Sequence, residues 1–262
     1  MKRFLLFACS IVISVAALAQ NKPAETAAPK HRLGLVNEYT IKPGMMNEFL
    51  EWAKSDSLPL YVKAGIKELY FFTNVYGDRA IVTVTEVHDS FATIKARNEA
   101  FTKNNSAEVR AAWGAKAGGY IEHTRTFIVE TLPELSWRNP KMQGIAPYTV
   151  LTYLYIAPQR RRDYEAFLKN DWLPLVKKAE TNGLVVSRLR YGGDPGQYAV
   201  FTRVDDLTEL DQPSKITQAV GAEAMTKIQQ KIVGVVLRTE NRILRLRADI
   251  SILPAPTLAE KK

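Results

Sequence analysis

The sequence predicts an α+β chain in which a strand-helix-strand-strand-helix-strand unit occurs twice in tandem. Three observations predict it. Segments recur in the same order at a constant offset of 115 residues, Tyr39 returning as Leu154 and Lys63-Ala64 as Lys178-Ala179. Within each half, β-type runs alternate with one stretch of helical periodicity. Glycine and proline clusters fall between those runs, where turns are needed.

The first strand is expected over Leu33 to Ile41, and its repeat over Tyr148 to Ile156. Pro43 and Pro158 then open a helix near its first turn, where a missing N–H costs nothing. In the first helix Met45, Phe49, Trp52 and Ala53 recur at helical spacing and form one apolar face. The motifs Asp56-Ser57-Leu58-Pro59-Leu60 and Asp171-Trp172-Leu173-Pro174-Leu175 match, and their prolines are expected to interrupt or bend the helix. Second strands follow over Ile66 to Thr73 and Leu184 to Tyr191. Gly77-Asp78 and Gly192-Gly193-Asp194-Pro195-Gly196 mark turns, because each joins two strand-like runs and neither opens a helix. Third strands run from Arg79 to Glu86 and from Tyr198 to Val204, with Ala80-Ile81-Val82-Thr83 aligned on Ala199-Val200-Phe201-Thr202. Helical stretches centred on 107–117 and 222–233 lead into last strands over 120–129 and 235–246.

This order is ferredoxin-like: an antiparallel sheet with two helices on one face. One such unit leaves its other face bare. Two units in one chain can pack those faces together, with helices outside and a lumen between the sheets. The units are assigned to 32–133 and 145–253, with a linker over 134–144.

The matched helix segments ending in Leu58-Pro59-Leu60 and Leu173-Pro174-Leu175, with the repeated strand order, resemble the dimeric α/β-barrel superfamily, which includes antibiotic-biosynthesis-type monooxygenases and the NIPSNAP family. The resemblance covers roughly 32–252 and implies an intramolecular dimeric α/β barrel, hence a monomer. It implies no single reaction, since such folds host oxygenases, haem enzymes, isomerases and proteins without known activity. Some two-unit members are haem proteins whose axial histidine comes from the second unit. The only histidines here are His31, His88 and His123, so that ligand is missing and no cofactor is expected.

The N-terminus carries Lys2 and Arg3, an apolar run from Phe4 to Leu18, and the small residues Ala17 and Ala19, the layout of a secretory signal over 1–19. Cleavage before Gln20 is expected. An uncleaved anchor and a lipoprotein signal ending at Cys9 are the alternatives. Cleavage removes Cys9, the only cysteine, and leaves no thiol chemistry. It also takes two positive charges from the net +9, leaving +7. A loose lead over 20–31 and a loose tail over 254–262 flank the fold. No apolar stretch of the mature chain is long enough to span a membrane, and no motif of a nucleic-acid reader is present. The expected location is periplasmic or secreted.

No nucleophile elbow, phosphate loop or dinucleotide-binding glycine pattern occurs, and no metal-ligand spacing, so no metal is expected. What remains is the lumen. Glu38 and Tyr153 hold matching positions, Tyr155 shares a face with Tyr153, Tyr70 is matched with Arg188, and His123 shares a face with Arg125. Lined by Glu38, Tyr70, Tyr153, Tyr155 and Arg188, with His123 on the last strand, the lumen would take a planar anion; the competing reading is core tyrosines and surface charges. The pattern leaves open which face looks inward. The leading expectation is an exported protein that binds a small molecule in its lumen. A cofactor-independent monooxygenase or isomerase is the second reading. An envelope interaction module, using the basic run Arg160-Arg161-Arg162, is the third.

Overall fold

The computed structural model describes residues 31–254 except 77 and 143. The expected signal, the lead before His31 and the tail after Pro254 lie outside the described residues. Eight strands form the fold: β1 (Leu33–Ile41), β2 (Leu69–Tyr76), β3 (Ile81–His88), β4 (Ile121–Thr131), β5 (Tyr148–Ile156), β6 (Leu184–Tyr191), β7 (Gln197–Val204) and β8 (Val236–Leu246).

The strands close into a barrel in the order β1-β3-β2-β8-β5-β7-β6-β4. Each unit contributes a four-stranded sheet, β4-β1-β3-β2 or β8-β5-β7-β6, as the ferredoxin-like order requires. The two sheets are also joined at their edges, through the antiparallel pairs β2·β8 and β4·β6. Closure leaves no unpaired edge strand among the described residues. Strands β1 and β5 lie on opposite sides of the barrel, four antiparallel steps apart, and so run in the same direction. The pseudo-twofold that relates the units therefore runs along the barrel axis.

The repeat extends to details the motifs did not carry. A 3-10 turn at Pro133–Leu135 and an isolated bridge Trp137↔Leu184 follow the first unit. A 3-10 turn at Ala248–Ile250 and the bridge Ile252↔Leu69 follow the second. One expected match needs correction. The barrel partner of Glu38 on β3 is Thr83, and that of Tyr153 on β7 is Ala199. Thr83 therefore corresponds to Ala199 and not to Thr202. The glycine turn of the second unit is one residue longer than its counterpart, which moves the third strand by one place and not by four.

Pro59 and Pro174 do not end their helices. The chain runs through α1 (Met46–Trp52), a π-helical turn at Ala53–Ser57 and α2 (Leu58–Lys63) without a break. The second unit repeats this as α5 (Arg161–Phe167), a π turn at Leu168–Trp172 and α6 (Leu173–Lys178). A proline cannot donate to the carbonyl four residues back, and its ring crowds that carbonyl. The wider π turn gives the ring room at the same place in both units. The helical stretch before each last strand is divided. In the first unit α3 (Phe91–Asn104) and α4 (Ala107–Tyr120) are capped by Ser90 and Ser106. The second has α7 (Lys215–Val220) and α8 (Ala222–Gln230). No helix among the described residues is long and apolar enough to cross a membrane.

Three apolar cores result. One lies between the first sheet and its helices, around Phe49, Trp52, Leu69 and Val82. Its counterpart in the second unit gathers Tyr164, Phe167, Val186 and Tyr198. The third fills the barrel: Val36, Phe72, Phe127, Val129, Leu151 and Leu244. Alternation along each strand serves both sides, which is why the strands are apolar on two faces.

Candidate functional site

The register decides which side chains point inward. Val36 belongs to the inner core while Ile41 belongs to the outer one, so the even positions of β1, Glu38 among them, face the lumen. On β5, Tyr153 and Tyr155 share that face. Because the pseudo-twofold runs along the axis, the equivalent positions Glu38 and Tyr153 stand at the same height and meet across the lumen. Tyr153 donates its hydroxyl to Glu38 Oε1 at 2.8 Å. Arg242 Nη1 donates to the same oxygen at 2.7 Å, and Arg125 Nη1 lies 3.8 Å from Oε2. Arg242 also donates twice to Glu240, at 2.6 and 2.9 Å.

Glu38 is 6% exposed, and the two guanidinium groups face its carboxylate. Burial, and then the neighbouring Glu38 carboxylate, push the Tyr153 hydroxyl well above the ordinary tyrosine range, so it stays a proton donor. Arg125 Nη2 donates to Gln197 Oε1 at 3.2 Å. Gln197 Nε2 has no acceptor, and neither Thr83 Oγ1 nor Asn74 Oδ1 has a partner among the described residues. All three residues are buried. Nearer the mouth, the Arg238 guanidinium lies 3.9 Å from the centre of the Tyr155 ring.

The glycine turn of the second unit folds onto this layer. A Cβ on Gly192 would stand 2.5 Å from the Thr126 carbonyl oxygen, and one on Gly193 would stand 2.9 Å from Arg125 Nη2 and 3.2 Å from Gln197 Oε1. At Gly192, where the close atoms are backbone, only glycine allows so close an approach. The barrel is packed at this layer. The space between Phe127, Val129, Tyr153, Leu189, Gln197 and Ala199 has no room for a water molecule.

Of the residues singled out from sequence, Glu38, Tyr153 and Tyr155 come together in the upper barrel. Tyr70 faces the lumen toward the other end, stacked on Phe72 with ring centres 6.4 Å apart. Its hydroxyl is pushed up by burial and then by Glu68. His123 precedes Arg125 by two residues on β4 and is exposed. Arg188 does not face the lumen. It lies on the outer side, donating to Glu130 at 2.9 Å and to Glu165 on α5 at 3.2 Å. The repeat position of Tyr70 is Val185, and a slip of an odd number of residues turns a strand side chain to the other face. Arg242, Gln197, Thr83, Asn74 and Arg238 escaped sequence reading. Arg242 was within reach, since the 115-residue offset places it on Phe127.

A second buried charge cluster lies outside the barrel, under α3. Arg97 grips both oxygens of Glu86, Nε donating at 2.6 Å, with the Tyr61 ring 5.3 Å from the guanidinium and His88 Nε2 3.5 Å from Glu86 Oε2. The repeat replaces Tyr61 by Val176 and Glu86 by Thr202. No group of three or more His, Cys, Asp or Glu among the described residues could hold a metal. A haem of the kind some two-unit barrels carry does not fit. The second unit has no histidine, and its outer face is filled by Tyr164, Phe167, Val186 and Tyr198.

No protein-family model and no curated protein matches the chain. Solved structures do match its fold. A candidate monooxygenase from Fusobacterium nucleatum superposes with a TM-score of 0.57 at 10% identity, covering 84% of this chain and 94% of that one. An anthrone oxidase-like protein gives 0.56 at 14% identity over 83% and 92%. A chlorite dismutase variant from Candidatus Nitrospira defluvii gives 0.55 at 10% identity over 85% and 93%. The chain thus has the dimeric α/β-barrel fold, with both units in one polypeptide.

Proposed function

We propose that the protein binds a small planar anion in the upper barrel, at the layer formed by Glu38, Tyr153, Arg125, Gln197 and Arg242, and that it is exported to do so. The unsatisfied hydrogen-bonding capacity of Asn74, Thr83 and Gln197 carries this reading. Each orphaned group costs about 1–3 kcal/mol. The repeat shows that the scaffold does not need them, because their counterparts are Leu189, Ala199 and Ile81. Arg125, Arg238 and Arg242 outnumber Glu38 and Glu240 by one charge, which favours a monoanion, and Tyr155 and Tyr153 offer ring faces. Binding requires the turn at 192–196 to lift from Arg125 and Gln197 and the packed layer beneath it to open. Export is supported by the signal-like sequence of 1–19. The basic run at Arg160 supports a surface role less, since Arg160 pairs with Asp163 and Arg161 contacts Tyr198.

Native mass spectrometry of the chain taken from its own periplasm tests the reading, together with calorimetric titration by 4-hydroxybenzoate. The expected results are a reproducible small adduct and saturable binding weakened about tenfold by Gln197→Leu. A clean mass with no saturable binding overturns it.

A second reading is cofactor-independent oxygenation of an electron-rich ring. It is favoured by the buried Tyr153–Glu38 pair, a donor beside a base, and by the names of the candidate monooxygenase and the anthrone oxidase-like protein. Oxygen uptake with an anthrone or a hydroquinone, abolished by Glu38→Gln, would establish it.

A further inference from the structure

Two seams close the barrel, and the repeat makes them equivalent while their side chains differ. The sheets are joined from Phe72–Leu246 to Tyr76–Ile243 across β2·β8, and from Thr131–Ser187 to Ile128–Tyr191 across β4·β6. The β4·β6 seam is bolted on its outer side. Glu130 of the first unit accepts from Arg188 at 2.9 Å and from Arg190 at 2.7 Å, both of the second unit. Arg188 continues to Glu165 at 3.2 Å. The Glu130 side chain is 15% exposed and that of Arg188 24%, so solvent screens these charge-assisted bonds little. At the upper end of this seam Tyr191 meets the Phe91 ring edge-on, with centres 5.7 Å apart, and Gly192 packs against the backbone of Thr126 and Phe127.

The β2·β8 seam lacks the residues for such a bolt. The 115-residue offset puts Arg245 at the place of Glu130, Thr73 at that of Arg188, Val75 at that of Arg190 and Leu50 at that of Glu165. One cation without a carboxylate at these positions cannot form the network. On the inner side the apolar pair Val129–Leu189 is matched by Leu244–Asn74. Asn74 is 7% exposed, and its Oδ1 has no partner among the described residues. A buried acceptor without a donor favours any state in which water reaches it. The lower end of the seam is firm: Phe72 faces Leu246, and the bridge Leu69↔Ile252 extends the pairing. The weak stretch is the upper end, from Asn74 to Tyr76 on β2 and Ile243 to Leu244 on β8.

We propose that the barrel opens at the upper end of the β2·β8 seam while the β4·β6 seam stays closed, and that this gap is the way into the buried layer. Arg242 directly precedes Ile243. Parting Tyr76 from Ile243 and Asn74 from Leu244 therefore uncovers the Arg242 guanidinium and the Asn74 carbonyl together. A layer that is packed when closed then needs no cavity of its own. The use of the gap as an entrance rests on the anion-binding reading of that layer. The opening itself does not, because it follows from the unequal stability of the two seams.

Hydrogen exchange of the whole chain, resolved at the amides bonded across each seam, tests the opening. Exchange across the upper β2·β8 seam is expected to be at least about tenfold faster than across β4·β6. Thr73→Arg with Arg245→Glu installs the Glu130–Arg188 pair at the equivalent positions and should slow exchange across β2·β8 while leaving β4·β6 unchanged. Glu130→Gln should speed exchange across β4·β6 alone. Equal exchange at the two seams of the wild-type chain, or a β2·β8 rate indifferent to the double substitution, overturns the proposal. Stopped-flow mixing with 4-hydroxybenzoate tests the entrance: association should slow in the double variant by about the factor that exchange does. An unchanged association rate overturns the seam as the entrance. No saturable binding by the wild-type chain overturns the anion-binding reading instead, and exchange alone then decides whether the seam opens.

Discussion

Tyr153 donates a hydrogen bond of 2.8 Å to Glu38, and the two residues occupy the same position of the repeat. The structure uses the axis that relates its halves to join two different residues. A symmetric dimer with glutamate at both places would bring two carboxylates together there, and one with tyrosine at both would leave Arg125 without a countercharge and Arg242 with Glu240 alone. Fusion of the units let each take a separate role. The outer faces show the same exchange: Thr126 donates to Asn37 at 2.7 Å, and Thr152 donates to Asn241 at 2.7 Å, with the threonine and asparagine interchanged between units.

Removing either member of the inner pair tests how far it holds the barrel. Glu38→Gln leaves Arg242 and Arg125 without their shared anion and is expected to cost about 3 kcal/mol. Tyr153→Phe removes one charge-assisted bond and should cost about 2 kcal/mol. The double variant should lose less than the sum, because both act on one network. Urea unfolding of the four proteins measures this. Strict additivity would mean that the 2.8 Å contact contributes nothing.

The glycine turn provides a contrast between neighbours. Gly192 has φ of +88°, and a Cβ there would meet the Thr126 carbonyl at 2.5 Å. Gly192→Ala should therefore cost about 3 kcal/mol in strain and displaced backbone. At Gly193 a Cβ meets only side-chain ends, Leu189 Cδ2 at 2.8 Å and Arg125 Nη2 at 2.9 Å, and these can yield. Gly193→Ala should stay within about 1 kcal/mol of wild type while disturbing the Arg125–Gln197 contact. Equal losses at both positions would refute this account of the turn.

Much of this fold is legible in the sequence because a repeat is its own alignment. The motifs around Leu58-Pro59-Leu60 and Leu173-Pro174-Leu175 place both first strands, both helices and both second strands. Where the matched motif is short, composition alone misaligns the strands. Ala80 to Thr83 resembles Ala199 to Thr202 in composition, but the barrel aligns Thr83 with Ala199. A similar slip joined Tyr70 to Arg188 and put an outer-face arginine among inward tyrosines. The site was half legible: Glu38 and Tyr153 were matched by the offset. Arg242 and Gln197 stand out less, because the repeat sets them against the apolar Phe127 and Ile81, so no matching polar residue marks their positions.

Edge closure also predicts the assembly state. Single-unit barrels obtain the opposite sheet from a second chain, whereas here β8 and β6 supply it within the same chain. With every edge strand paired, no ladder is left for another copy. Light scattering at low and high concentration should give the mass of one chain at both. A dimer persisting on dilution would contradict this.

Glu180 has φ of 45°, the only positive value at a non-glycine residue among the described ones, and its repeat counterpart Gly65 has φ of 78°. Both close a helix in the left-handed conformation that glycine accepts without strain. Glu180 also pairs with Lys141 at 2.7 Å, an exposed contact screened by salt. Glu180→Gly should raise the melting temperature by a few degrees in high salt, with a smaller gain in low salt. A fall in both would mean that the backbone there is not strained.

The buried tyrosines predict a loss of stability in alkali. Burial, with Glu86 adding to it, raises Tyr61 to about 12, and burial followed by the hydrogen bond to Glu165 raises Tyr198 to about 12. Tyr39 and Tyr153 are pushed well above the ordinary value of 10.0, chiefly by burial. In the unfolded chain all four ionise near 10, so between that value and the folded ones the unfolded state has released protons that the native state still holds. Stability then falls with rising pH, by at most about 1.4 kcal/mol per unit for each tyrosine. Their contribution is intact below pH 10 and is lost as pH rises through the folded values. Urea midpoints measured from about pH 8 to about pH 11 should be level at first and then decline. Tyr61→Phe should make the decline shallower, because phenylalanine has no proton to lose. A decline of unchanged steepness in that variant would assign the alkaline loss to groups other than this buried hydroxyl.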